Sequence, residues 1–128
     1  MSIKFFFCFI ILTGTMLFSS CDKEEQVKTH EYIFLSVDTS GITENSVILK
    51  WTKSTAVDFD HYQLHKSKVR GFVPSSSTFI KDIANQNQTK DTVFPLLSGT
   101  TYYFKLRMFT KDANATESNE ATARTLSP

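Results

Sequence analysis

The chain has 128 residues, with 14 Lys+Arg against 13 Asp+Glu and two cysteines. A near-neutral balance with no clustered basic stripe removes the electrostatic footprint that a nucleic-acid binder needs. The length suits one small domain and excludes two.

At the N-terminus a single Lys4 precedes an apolar run from Phe5 to Phe18, broken only by Thr13, Gly14 and Thr15. Crossing a bilayer takes about 20 apolar residues. This run stops short at Ser19, Ser20 and Cys21, so residues 1–20 are expected to be a cleaved signal peptide and not a membrane span. Leu17-Phe18-Ser19-Ser20-Cys21 resembles a lipobox, which implies that Cys21 receives diacylglycerol and anchors the mature chain. The competing reading is an ordinary secretory signal cleaved near Ser20, with Cys21 as a spare thiol. Cys8 would leave with the signal, so Cys21 would be the only cysteine, with no internal disulfide and no cysteine metal site. Asp22-Lys23-Glu24-Glu25 resembles the export signal of surface lipoproteins in some Gram-negative anaerobes. That implies an outer-membrane, lipid-anchored protein at the cell surface; a periplasm-facing lipoprotein is the alternative.

Removing residues 1–20 from the 128 leaves 108, with Lys/Arg and Asp/Glu in balance. Residues 21–32 are polar and are expected to form the lipidated Cys and its tether, reaching at most about 35 Å when extended. From residue 33 to residue 128 the apolar pattern has period two, the signature of strands with one row facing a core. Strands are expected over 33–38, 46–52, 60–67, 78–83, 91–94, 101–110 and 120–125. Turn signals separate them at Ser40-Gly41, Asn45-Ser46, the Gly71 to Ser77 stretch, Asn85 to Thr89, Ser98-Gly99 and Asp112 to Asn114. Between Lys66 and Phe94 the register stays open, because Phe72, Phe79, Ile80 and Ile83 can fill the fourth strand in more than one way, and a one-residue slip would exchange core and surface.

Three motifs in this order resemble a fibronectin type III domain. Ser46-Val47-Ile48-Leu49-Lys50-Trp51 is similar to the family's second strand with its inward Trp. Asp60-His61-Tyr62-Gln63-Leu64 is similar to the third. Leu96-Leu97-Ser98-Gly99-Thr100-Thr101-Tyr102 is similar to the corner whose tyrosine hydroxyl bonds back to the main chain. Asp112 to Ser118 is similar to the turn between the sixth and seventh strands, and Ala121, Ala123 and Thr125 to the small inward row of the last. The resemblance implies an all-β fold, a seven-stranded antiparallel immunoglobulin-like sandwich, with the first, second and fifth strands facing the third, fourth, sixth and seventh.

No catalytic constellation emerges. His61 and His65 in His61-Tyr62-Gln63-Leu64-His65 would share a helix face, but on a strand they stand roughly 13 Å apart, too far for one zinc ion. Asp58 and Asp60 have neither a pocket nor a nucleophile beside them, Ser75 to Ser77 lack the flanking glycines of a nucleophile elbow, and Arg70-Gly71-Phe72 lacks the aspartate of the integrin-binding tripeptide. No cofactor or metal is therefore expected, and no enzymatic activity. One binding face remains: His61, His65, Tyr103 and Phe109 are expected to project together from the outer face of the sheet holding the third and sixth strands. Aromatic rings on a flat face can stack on sugars or seat a protein, although cross-strand aromatics also stabilise sheets without any ligand. The expected function is a membrane-anchored, non-enzymatic interaction or spacer module that contacts an envelope protein, with a glycan-binding surface lipoprotein as the alternative.

Overall fold

The computed structural model describes residues 31–128. The expected signal segment, Cys21, the tetrapeptide that resembles a surface-export signal and the expected tether up to residue 30 lie outside the described residues. Eight strands form among the described residues: β1 (Leu35–Asp38), β2 (Val47–Trp51), β3 (Phe59–Ser67), β4 (Phe79–Ile83), β5 (Lys90–Val93), β6 (Thr101–Thr110), β7 (Ala115–Glu117) and β8 (Ala121–Arg124). They build two antiparallel sheets. One runs β1-β2-β5; the other runs β4-β3-β6, with both β7 and β8 paired to β6.

Alternation decides which side chains meet. On β2, Val47, Leu49 and Trp51 point inward; on β3, Tyr62 and Leu64; on β6, Tyr102, Phe104, Leu106 and Met108. Ile33, Leu35, Val93, Leu96, Ala121 and Ala123 close the same cluster. Each large side chain buried there adds roughly 1.5–3 kcal/mol of transfer free energy. The small Ala121 and Ala123 let β8 lie close against the opposite sheet. Trp51 meets Tyr62 edge-on at 5.7 Å, and Phe59 tilts against Tyr62 at 4.7 Å.

A buried phenol needs partners for its hydroxyl, and both core tyrosines have them. Tyr62 accepts from Ser54 N at 2.8 Å and donates to the Gln86 carbonyl at 2.9 Å. Burial is the foremost reason its acidity is weakened. Tyr102 accepts from Leu97 N at 2.9 Å, the back-bond expected of the corner. Gly99 makes that corner tight: its φ is 57°, a conformation that side chains with a Cβ rarely adopt. Across the open side of the sandwich Lys81 of β4 meets Asp91 of β5 at 2.8 Å, joining the two sheets.

Two expectations need correction. The stretch after β6 is not only a turn: Ala115–Glu117, read as part of that turn, is a separate strand β7 on β6, so there are eight strands where seven were expected. The chain leaves β6 at Ser118, whose hydroxyl accepts from Leu106 N at 2.9 Å, and returns to it at Ala121. Phe72, a candidate for the fourth strand, sits instead in the connection before it and is buried away from the main core. The fourth strand takes the register Tyr62↔Ile83 and Gln63↔Asp82, with an irregularity between Leu64 and His65.

Candidate functional site

The outer face of the larger sheet carries two facing rows. From β3 come His61, Gln63, His65 and Ser67; opposite them on β6 stand Phe109, Arg107, Lys105 and Tyr103. All four expected residues share this face, but they do not form one platform. His61 and Phe109 stack at 4.8 Å with 13° between their planes, at one end. Tyr103 lies six residues along β6 from Phe109, about 20 Å at strand spacing. Cations cover the rings: Arg107 lies 5.4 Å from the Phe109 centroid and Arg70 6.0 Å from that of Tyr103. Faces already taken by His61, Arg107 and Arg70 leave little for a sugar ring to stack on.

His65 corrects the expectation of an exposed position, being only 2% exposed. The connection before β4 lies over this end of the sheet and explains it. Lys105 Nζ donates to the Phe72 carbonyl at 2.8 Å and sits 5.3 Å from the Phe72 ring centroid. Gly71 N donates to Glu120 at 2.8 Å. Under that cover His65 bonds Thr78 Oγ1 through Nδ1 at 2.9 Å and Gln63 Oε1 through Nε2 at 2.7 Å. Burial first, and Arg107 second, hold its basicity below the usual value for an imidazole. His61 has a different environment, 2.6 Å from Asp60 and 3.6 Å from Asp82. Among the described residues no group of three or more His, Cys, Asp or Glu is placed to hold a metal ion.

A second surface, absent from the sequence reading, lies at one end of the sandwich. The turn from Thr39 to Asn45, the corner from Phe94 to Thr100, the end of β3 and the strand exit at Leu126 converge there. Leu96 N bonds the Asn45 carbonyl, Leu126 N bonds the Thr43 carbonyl and Gly99 N bonds the Leu126 carbonyl. These bonds consume main-chain groups and turn side chains outward: Phe94 is 70% exposed, Leu97 59% and Leu126 53%. On one side of Leu97 is a concavity of about 350 Å³ lined by Lys66, Lys68, Pro95, Leu96 and Tyr102. Against its other side lies a concavity of about 640 Å³ lined by Ile42, Glu44, Asn45, Ser98 and Leu126. The signal for this surface was present in Leu96-Leu97, because a corner needs only one of the two to enter the core. Leu96 does so, and Leu97 is left outside.

Two antiparallel sheets packed over one core, with the tyrosine corner before β6, define an immunoglobulin-like sandwich. The chain belongs to the fibronectin type III domain family, whose model matches residues 35–124. Solved structures agree on the fold. The chain is similar to a fibronectin type III domain from human KIAA0970 protein, with TM-score 0.58, 17% identity, and coverage of 77% of this chain and 75% of that one. Pectate lyase Pel3 from Pectobacterium carotovorum matches with TM-score 0.58 and 14% identity over 73% of this chain and 27% of that one. A family 28 exopolygalacturonase from Yersinia enterocolitica matches with TM-score 0.59 and 16% identity over 77% and 21%. This chain thus spans between a fifth and a third of the two enzymes. No curated protein matches it.

Proposed function

We propose that the chain is a lipid-anchored, non-enzymatic binding module of a bacterial envelope, acylated at Cys21, with a protein as its partner. The observation that carries the reading is the apolar end formed by Phe94, Leu97 and Leu126 with its two concavities. Soluble surfaces scatter single apolar residues, whereas a contiguous group around a groove marks an interaction site. The polarity of the strands supports it further. Residue 31 enters at the end where β2 finishes and β3 begins, while Leu97 belongs to the end where β1 finishes and β6 begins. A chain held through its N-terminus presents Leu97 away from the anchor. In the pectate lyase and the exopolygalacturonase a like fold occupies a minor share of a longer chain, which suits a module that works beside another activity. Asp22 to Glu25 favours the outer surface, with a periplasm-facing position as the alternative.

Crosslinking on intact cells tests this reading, with a photoreactive residue in place of Phe94. Wild type should yield a discrete protein adduct. Leu97→Asp should abolish it while leaving stability within about 0.5 kcal/mol, as befits an exposed site. Cys21→Ala should release the protein from the membrane fraction. A clean monomer from wild-type cells would overturn the partner, and membrane retention of Cys21→Ala would overturn the anchor.

A further inference from the structure

The end of the sandwich where residue 31 enters carries a second set of exposed apolar groups. Glu31 is clasped to the loop between β2 and β3: its carboxylate accepts from Ser54 Oγ at 2.8 Å, from Thr55 Oγ1 at 3.2 Å and from Thr55 N. The next residues are held as well, since Phe34 N donates to Thr52 Oγ1 at 3.0 Å and Thr52 N donates to the Phe34 carbonyl at 3.1 Å. Ile33 and Leu35 turn into the core, so Tyr32 and Phe34 must turn out, and both are exposed. Val57, in the adjoining loop, is fully exposed. Lys53 and Lys111 are exposed at the same end. Lys111 N bonds the Asp58 carbonyl at 2.9 Å, which joins the loop after β6 to the loop holding Val57.

We propose that this end is a membrane-facing sole: Tyr32, Phe34 and Val57 enter the headgroup layer of the bilayer that holds the acyl chains, with Lys53 and Lys111 near lipid phosphates. The proposal rests on acylation of Cys21, and the choice of a lipid surface follows from the length of chain outside the described residues. From Cys21 to Glu31 the chain reaches at most about 35 Å, and the clasp at Glu31 makes this end the one closest to the anchor. Such a leash keeps the sole at high effective concentration near lipid, so a contact too weak to bind free protein is still populated. The Tyr32 ring, with an apolar body and a polar tip, suits that layer, and Phe34 and Val57 add apolar surface. The opposite end, a ten-residue β6 away, stands about 33 Å further out.

The test returns the acylated mature protein, residues 21–128, to vesicles of phosphatidylethanolamine and phosphatidylglycerol, with a nitroxide on Val57→Cys or on Leu97→Cys. Acylation blocks Cys21, so each variant offers one thiol. At position 57 the ratio of collisions with oxygen to collisions with a nickel chelate should rise severalfold over the same label in unacylated Cys21→Ala protein that also starts at residue 21. At position 97 it should not rise, and Tyr32→Ser with Phe34→Ser should lower the ratio at 57. Equal ratios at 57 and 97 in protein that floats with the vesicles would overturn the sole and leave the anchor standing. A rise at both positions would mean the domain lies on its side, and overturns end-on seating. Protein that fails to float overturns the anchor, and the sole with it.

Discussion

His65 shows how one side chain couples its surroundings to pH. The Gln63 amide nitrogen donates to Asp82 at 3.2 Å, so the amide oxygen faces His65 and Nε2 carries the proton. Nδ1 is then an acceptor 2.9 Å from the Thr78 hydroxyl, whose one hydrogen it shares with the Ser75 carbonyl at 3.1 Å. Taking up a second proton would make Nδ1 a donor and bring positive charge toward Arg107 in a site largely closed to water. Burial and Arg107 both lower the imidazole's basicity from its ordinary 6.5, and Glu117, Asp82 and the Ser75 main chain offset this only in part. In the unfolded chain the same imidazole binds its proton near 6.5, so below that pH the unfolded state holds more protons than the folded one, until the lowered folded value is reached. Stability therefore falls with acidification through that window. The urea midpoint of wild type should drop between pH 7.5 and pH 5.5. His65→Gln, which can keep one hydrogen bond without titrating, should flatten that drop. An equally steep decline in the variant would place the proton uptake elsewhere.

At the scale of elements, the break between β7 and β8 does work that an unbroken strand could not. Asn119, in the gap, turns its amide across to the other sheet, accepting from Leu35 N and donating to the Leu35 carbonyl, both at 2.8 Å. These two bonds satisfy the first residue of β1 on its open edge, and hold β1 where Glu31 brings the chain in. Asn119→Ala leaves both main-chain groups of Leu35 without a protein partner and should cost about 1–3 kcal/mol. Hydrogen exchange at the Leu35 amide should speed up far more than at the Leu64 amide; equal changes at the two would mean that Asn119 supports the whole sandwich and not β1. The rows Val47-Leu49-Trp51 and Tyr102-Phe104-Leu106-Met108 were legible because a strand with one wet face writes its core in alternate letters. Ala115–Glu117 was not: three residues without a large apolar side chain leave no alternation to read, even though their partners on β6, from Phe109↔Ala115 on, belong to the strand just before them. The cover over His65 was hidden for a similar reason. Phe72 is buried by a loop that folds back, and loop paths carry no period. Of the candidate site, sequence placed His61 and Phe109 on one face because both follow from strand parity; parity says nothing of what lies above them.

For the whole molecule, the two ends of the sandwich have opposite tasks in the proposed arrangement, and the leash length separates them. Effective concentration near a tethering point falls roughly as the −3/2 power of leash length once the leash exceeds the span. Tripling the ten-residue stretch before Glu31 with a Gly/Ser insert after Glu25 should thus lower the population of a weak sole contact roughly fivefold. A spin label on Val57→Cys should lose most of its lipid signature in the lengthened protein. Crosslinking from the Phe94 position should keep its yield, because that end faces away from lipid in either case and its partner is not drawn from the bilayer. A long leash that instead lowered the crosslink and spared the lipid signal at 57 would reverse the roles of the two ends: the partner would then have to be held at a fixed height above the membrane, and the sandwich would serve as the measured spacer between them.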